Sequence, residues 1–121
     1  MERRIRVLVV DDSAYVRKIV KEMLSRVPAL EVVGTARDGE DALTMVRELA
    51  PDVVTCDLIM PEVDGVEFIR RQFAVRPVPV VVVSIAADSS ERVLAALDAG
   101  AIDFVQKPTA LATERIFDMA D

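Results

Sequence analysis

The sequence predicts one α/β domain built on a doubly wound, five-stranded parallel sheet. Five short runs rich in valine and isoleucine recur at intervals of roughly 25 residues, and segments of helical period separate them. The runs are continuously apolar instead of alternating, as expected of strands that helices cover on both faces. With 121 residues, 52% of them hydrophobic, the chain can bury a core without disulfides or a structural metal.

The first strand is expected over residues 5–10, most plainly at Val7-Leu8-Val9-Val10, and it runs out at Asp11-Asp12-Ser13. Val16, Ile19, Val20, Met23, Leu24 and Val27 then follow the i, i+3, i+4, i+7 spacing of a helical stripe. A second strand over 31–36 precedes a helix marked by Ala42, Leu43, Val46 and Leu49. The third strand, 53–56, ends at Asp57, and Val66, Ile69 and Phe73 mark the helix after it. The fourth strand, 78–83, carries Val80-Val81-Val82-Val83 and ends at Ser84. Val93, Leu94 and Leu97 are the apolar stripe of the fourth helix, with Asp88 and Glu91 spaced as a capping box and Gly100 in the C-cap position.

The fifth strand, 103–106, leads into Lys107-Pro108, and the tail 109–121 is long enough for a loop and one or two helical turns. The domain therefore occupies 1–108, and 109–121 is the start of a linker or a truncated last helix. Right-handed crossovers leave few arrangements of five parallel strands, and the flavodoxin-like order 2-1-3-4-5 is the favoured one. A missing last helix would expose an apolar face near the first helix, and a homodimer or domain exchange would cover it.

Composition excludes several classes of chemistry. Histidine is absent, which removes the usual general base, the Ser-His-Asp and Cys-His triads and the commonest zinc ligand. This segment therefore carries no hydrolase triad. The single cysteine, Cys56, lies inside an apolar run and reads as a buried core thiol. A formal net charge of -6 argues against a nucleic-acid surface. No apolar run reaches the ~20 residues of a membrane helix, so a soluble, cytoplasmic protein without membrane partners is expected.

Asp11, Asp12, Asp57, Ser84 and Lys107 all sit at strand C-terminal ends, which share one edge in this topology. The first and third strands are neighbours at the switch point where open α/β sheets bind ligands, so three carboxylates converge beside one crevice. Their repulsion would be relieved by a hard cation with oxygen ligands, and a few carboxylates, a carbonyl and several waters suit Mg²⁺. An aspartate held against Mg²⁺ and lysine, with a hydroxyl in reach, has the parts for attack on phosphorus. Asp57, between the others, is the candidate acceptor. Taken singly, each residue also admits a structural role: Asp12 as a helix cap, Asp57 as a turn former, Ser84 as a backbone-bonding hydroxyl, Lys107 as a solvated charge and Phe104 as core.

Val9-Val10-Asp11-Asp12-Ser13, Asp57-Leu58-Ile59-Met60-Pro61 with Asp64-Gly65, Ser84, and Gly100-Ala101 through Phe104 to Lys107-Pro108 together resemble the receiver domains of bacterial two-component response regulators. The resemblance covers essentially the whole chain. It implies that a histidine kinase's phosphohistidine supplies a phosphoryl group to Asp57, with Mg²⁺ on the Asp12 and Asp57 carboxylates and the Ile59 backbone carbonyl. Asp11 would act through water. Lys107 would pair with the acceptor or its phosphoryl group, Ser84 and Phe104 would switch, and the bond to Pro108 would be cis. Asp12-Ser13-Ala14, Arg26-Val27-Pro28, Pro51-Asp52-Val53-Val54-Thr55 and Ala101-Ile102-Asp103-Phe104-Val105 are most similar to the N-terminal regulatory domain of chemotaxis protein-glutamate methylesterases. That implies a chemotaxis kinase as donor, a C-terminal effector domain outside this segment, and chemoreceptors as partners of the parent protein.

Two positions depart from that subfamily. Ile59 stands where a polar residue, commonly glutamate, would flank the hydrolytic water, and Ile85 replaces a small residue after Ser84. A haloacid dehalogenase-type phosphatase would need D-x-D after the first strand, where this chain has Asp11-Asp12-Ser13. A dinucleotide-binding module would need a G-x-G-x-x-G that no strand here precedes. A receiver serving only as a docking surface is the remaining alternative, and Ile85 and the shortened tail motivate it.

Overall fold

The computed structural model describes residues 3–58, 60, 63–84 and 90–106. The expectations placed on Ile59, Ile85, Asp88, Lys107, Pro108 and the tail 109–121 lie outside these residues. The elements run β1 (Ile5–Val10), α1 (Ala14–Ser25), β2 (Leu30–Ala36), α2 (Gly39–Leu49), β3 (Val53–Cys56), α3 (Gly65–Val75), β4 (Val80–Ser84), α4 (Ser90–Ala99) and β5 (Asp103–Gln106). All strand pairs are parallel, in the order β2-β1-β3-β4-β5. This is the doubly wound topology that the apolar runs imply.

Alternate residues of the strands feed opposite faces. Leu8, Val10, Val54, Cys56, Val80 and Val82 join one core with Ala42 and Val46 of α2, Phe68 and Ile69 of α3, and Ala96 of α4. On the other face Val7 and Val9 are buried along with Val16 and Ile19 of α1. Cys56 is fully buried, as its apolar setting implies.

The register between β1 and β3 is pinned at the opposite end from the acidic residues. Arg6 N donates to Asp52 Oδ2 at 2.8 Å, and Asp52 N donates to Arg6 O at 2.8 Å. The bond from the Arg6 amide is the main reason the Asp52 carboxyl lies below its usual range, and the adjacent Arg3 guanidinium adds to the effect. A depressed carboxylate contributes above its unfolded-state range, and that contribution is lost as pH falls through the lowered value. From this anchor the ladder runs in step to Val10 opposite Cys56, so the next residue of each strand emerges side by side.

Several details depart from the sequence reading, among them a β2 that begins at Leu30 and a Phe73 on α3 that is half exposed. β4 begins at Val80, because Val78 lies between Pro77 and Pro79, which have no N–H for a ladder; Pro79 contributes only its carbonyl, to Val54 N at 2.9 Å. α1 stops at Ser25, with Pro28 close behind, so Val27 leaves the stripe and is exposed, as is Met23. On α4 the wholly buried residue is Ala96, while Leu94 is 64% exposed and Leu97 is 39% exposed. Helical spacing locates an apolar stripe, but a side chain as small as alanine is what lets the helix lie close to the sheet.

Gly100 ends α4 with φ +131°, and a Cβ there would meet the Phe73 ring at 2.6 Å. Gly100→Ala is expected to cost more than ~1 kcal/mol, because it adds backbone strain to the ring contact. A shift of the urea midpoint reads the loss, and an unchanged midpoint would show that the turn accommodates a side chain.

Candidate functional site

The sheet ladder extends past β1 and β3 into the residues that follow. Asp11 N donates to Ala36 O at 3.1 Å, and Asp57 N donates to Val10 O at 3.0 Å. Asp11 and Asp57 are thereby fixed to neighbouring strands, and they are 4% and 7% exposed. Asp12 is exposed at the mouth. Carboxylate oxygens of Asp11, Asp12 and Asp57 all lie within 4.8 Å of one another. The convergence expected from topology is therefore present.

The helix-cap alternative for Asp12 is not what the local geometry gives. The N-cap of α1 is Ser13, whose Oγ accepts from Val16 N at 3.2 Å. Ser13 N in turn donates to Asp11 Oδ1 at 3.0 Å, so the turn after β1 is closed by Asp11 and Ser13.

On the β3 side, the acceptor candidate is approached closely by main chain and by a thiol. Cys56 Sγ donates to Asp57 O at 3.2 Å. Gly65 N donates to Leu58 O at 2.9 Å, and a Cβ on Gly65 would press into the Asp57 carbonyl oxygen and meet Leu58 Cα at 2.7 Å. Asp64 caps α3 by accepting from Glu67 N at 2.9 Å. The N-terminus of α2 closes on the same loop: Gly39 N donates to Val63 O at 3.1 Å, and a Cβ on Gly39 would come within 2.8 Å of Val63 Cβ. Sequence reading singled out Asp64-Gly65 but not Gly39, whose role is a close approach of two distant segments.

β4 ends at Ser84, paired with Gln106, so the backbone of Ser84 is at the same sheet edge; its hydroxyl is not among the described side chains. Phe104 pairs with Val82, and its partly buried ring packs against the core. Lys107 and Ile59 lie outside the described residues. Arg17, which the sequence gives no reason to single out, donates from Nη1 to Asp11 O at 2.8 Å.

Chemically, the site offers hard oxygen donors crowded around one point. Carboxylate oxygens gathered this closely suit a small, hard divalent cation. The donor set fits Mg²⁺, with no soft sulfur or imidazole ligand in the cluster.

The family model described as response regulator receiver domain matches residues 7–120. A Myxococcus xanthus protein-glutamate methylesterase/protein-glutamine glutaminase is 56% identical over 116 residues, which are 95% of this chain and 33% of that protein. The protein of the same name from Halalkalibacterium halodurans is 48% identical, over 98% of this chain and 36% of the relative. The chain thus spans about a third of the length of these curated relatives. Among solved structures, the response regulator domain of Thermotoga maritima CheB superposes with a TM-score of 0.86 at 38% identity, covering 98% of this chain and 89% of that one. A chain from the CheX–CheY–BeF3–Mg²⁺ complex of Borrelia burgdorferi gives 0.78 at 27% identity, over 98% and 91%.

Proposed function

The chain belongs to the response regulator receiver domain family, and from that premise we propose that it accepts a phosphoryl group on Asp57 and switches a methylesterase output in chemotactic signalling. The observation that carries the acceptor assignment is the meeting of the Asp11, Asp12 and Asp57 carboxylates within 4.8 Å at the ends of β1 and β3. The relatives' shared name supports the output assignment, and because this chain spans about a third of their length, the output would lie outside this segment.

In the proposed reaction a carboxylate oxygen of Asp57 attacks phosphorus of a kinase phosphohistidine. The P–N bond breaks, the imidazole nitrogen leaves with the electron pair, and an acyl phosphate remains on Asp57. Mg²⁺, when bound, neutralises charge on the transferring group. The Asp12 and Asp57 carboxylates and the Ile59 carbonyl would hold it, with Asp11 acting through water; the Borrelia burgdorferi complex, which contains Mg²⁺ and BeF3, supports this choice of ion. Lys107 would pair with the phosphoryl oxygens. Ser84 and Phe104 would respond to the added charge, Ser84 from the end of β4 and Phe104 from the paired strand β5. A cytoplasmic histidine kinase and chemoreceptors are the partners this reading requires.

Intact-mass spectrometry after incubation with acetyl phosphate and Mg²⁺ tests the reading. One added phosphoryl group, absent when the metal is chelated, is the expected result; no gain in mass would leave only a docking role. Ile59 places an apolar side chain where the methylesterase subfamily is expected to have a polar one, so slow loss of the phosphoryl group is expected. Ile59→Glu should shorten its lifetime several-fold by orienting the attacking water. Equal decay of the two proteins would remove Ile59 as the cause.

A further inference from the structure

Asp11 is gripped at three of its atoms. Its N–H is in the ladder with Ala36, its Oδ1 accepts from Ser13 N, and its carbonyl oxygen accepts from Arg17 Nη1. The first bond extends the sheet, and the second is an ordinary feature of an Asx turn. The third is different in kind, because a long side chain reaches back from α1 to a main-chain oxygen six residues earlier. Arg17 is well placed to do so, since its own amide donates to Ser13 O at 2.9 Å and fixes the start of the helix. The guanidinium therefore braces the point at which β1 turns into α1, and the two carboxylates of that turn are the ones that face Asp57.

Two roles for such an arginine make opposite predictions. A bare positive charge beside a cation site repels the cation, so removing it would tighten binding. A brace on the ligand-bearing turn lowers the ordering cost of binding, so removing it would weaken binding.

We propose that Arg17 is a positioning residue of the cation site, holding the Asp11 carbonyl so that Asp11 and Asp12 present their carboxylates toward Asp57. This rests on the reading of the site as a Mg²⁺-dependent phosphoacceptor. Arg17 touches neither the ion nor the phosphoryl group in this role; it acts through the main chain of Asp11.

The test is calorimetric titration of Mg²⁺ alone into the wild type, Arg17→Lys and Arg17→Met, with amide hydrogen exchange measured on the metal-free proteins. Arg17→Met is expected to weaken Mg²⁺ binding by about fivefold to tenfold, the worth of one part-buried hydrogen bond. Arg17→Lys keeps a donor of similar reach and should stay within about threefold of the wild type. Exchange of the Ser13 amide should quicken in Arg17→Met while the β3 amides keep their protection. If the Met variant does not fold, Arg17→Gln, which is shorter and uncharged, carries the same comparison. Mg²⁺ binding that is unchanged or tighter in the variant, with the wild type binding normally, overturns the role of Arg17 alone. A wild type that binds no Mg²⁺ overturns this role together with the phosphoacceptor reading.

Discussion

Asp57→Asn is expected to abolish phosphoryl uptake from acetyl phosphate and, at the same time, to raise the melting temperature of the metal-free domain. The amide is nearly isosteric, so the bond from residue 57 N to Val10 O and the burial of the side chain are retained. What is lost is the nucleophilic carboxylate, and with it one of three negative charges packed within 4.8 Å. At 7% exposure the Asp57 carboxylate is buried beside two like charges, and crowding of like charge carries a cost. Removing one of three like charges should raise the melting temperature of the metal-free fold by a few degrees. Saturating Mg²⁺ should narrow the difference, because the cation binds the wild-type site better and stabilises it by mass action. Intact-mass spectrometry and thermal melting with and without Mg²⁺ read both halves. A variant that still gains a phosphoryl group places the acceptor elsewhere, and one that melts lower without metal removes the repulsion argument.

The second large effect is expected at a residue with no side chain. Gly65→Ala should cost about 3 kcal/mol and slow phosphoryl uptake by the protein that remains folded. The obstacle to a Cβ is the main chain of the Asp57–Leu58 peptide, its carbonyl oxygen and Leu58 Cα, and main chain at a strand end cannot rotate away as a side-chain tip can. Relief would have to come from moving the start of α3, which is stitched to Leu58 O by the Gly65 amide, or from moving Asp57 itself. Movement of a few tenths of an ångström at the acceptor disturbs its alignment with a donor. Urea unfolding together with the initial labelling rate separates the two effects. Stability within ~0.5 kcal/mol of wild type with an unaltered rate would mean that the helix start yields freely.

The sheet was readable because each strand carries its signal in its own residues. Val7 to Val10 and Val80 to Val83 are apolar at every position, which only strands covered on both faces tolerate. The positions of Asp11, Asp12 and Asp57 followed from strand ends and topology, since parallel strands put their C-terminal ends on one edge. The face of α4 was misread at Leu94 and Leu97, because residue type says how much a side chain gains from burial but not how close the helix must come to the sheet. Ala96 fills that position, as a small residue can where larger ones cannot.

By itself, then, the sequence determined the α/β class, the strand order and the edge on which the acidic residues meet, because local period and strand-end placement are properties of neighbouring residues. Tertiary structure alone decided the rest: the brace from Arg17 to the Asp11 carbonyl, the closure of Gly39 on Val63, the seating of Gly65 against Asp57, and the reciprocal Arg6–Asp52 bonds that set the register. Each of these is a contact made by main-chain atoms or by the absence of a side chain, and such contacts leave no hydrophobic period in the sequence. They arise only when the packed core brings separate segments to hydrogen-bonding distance, where an unpaired amide or carbonyl would be costly.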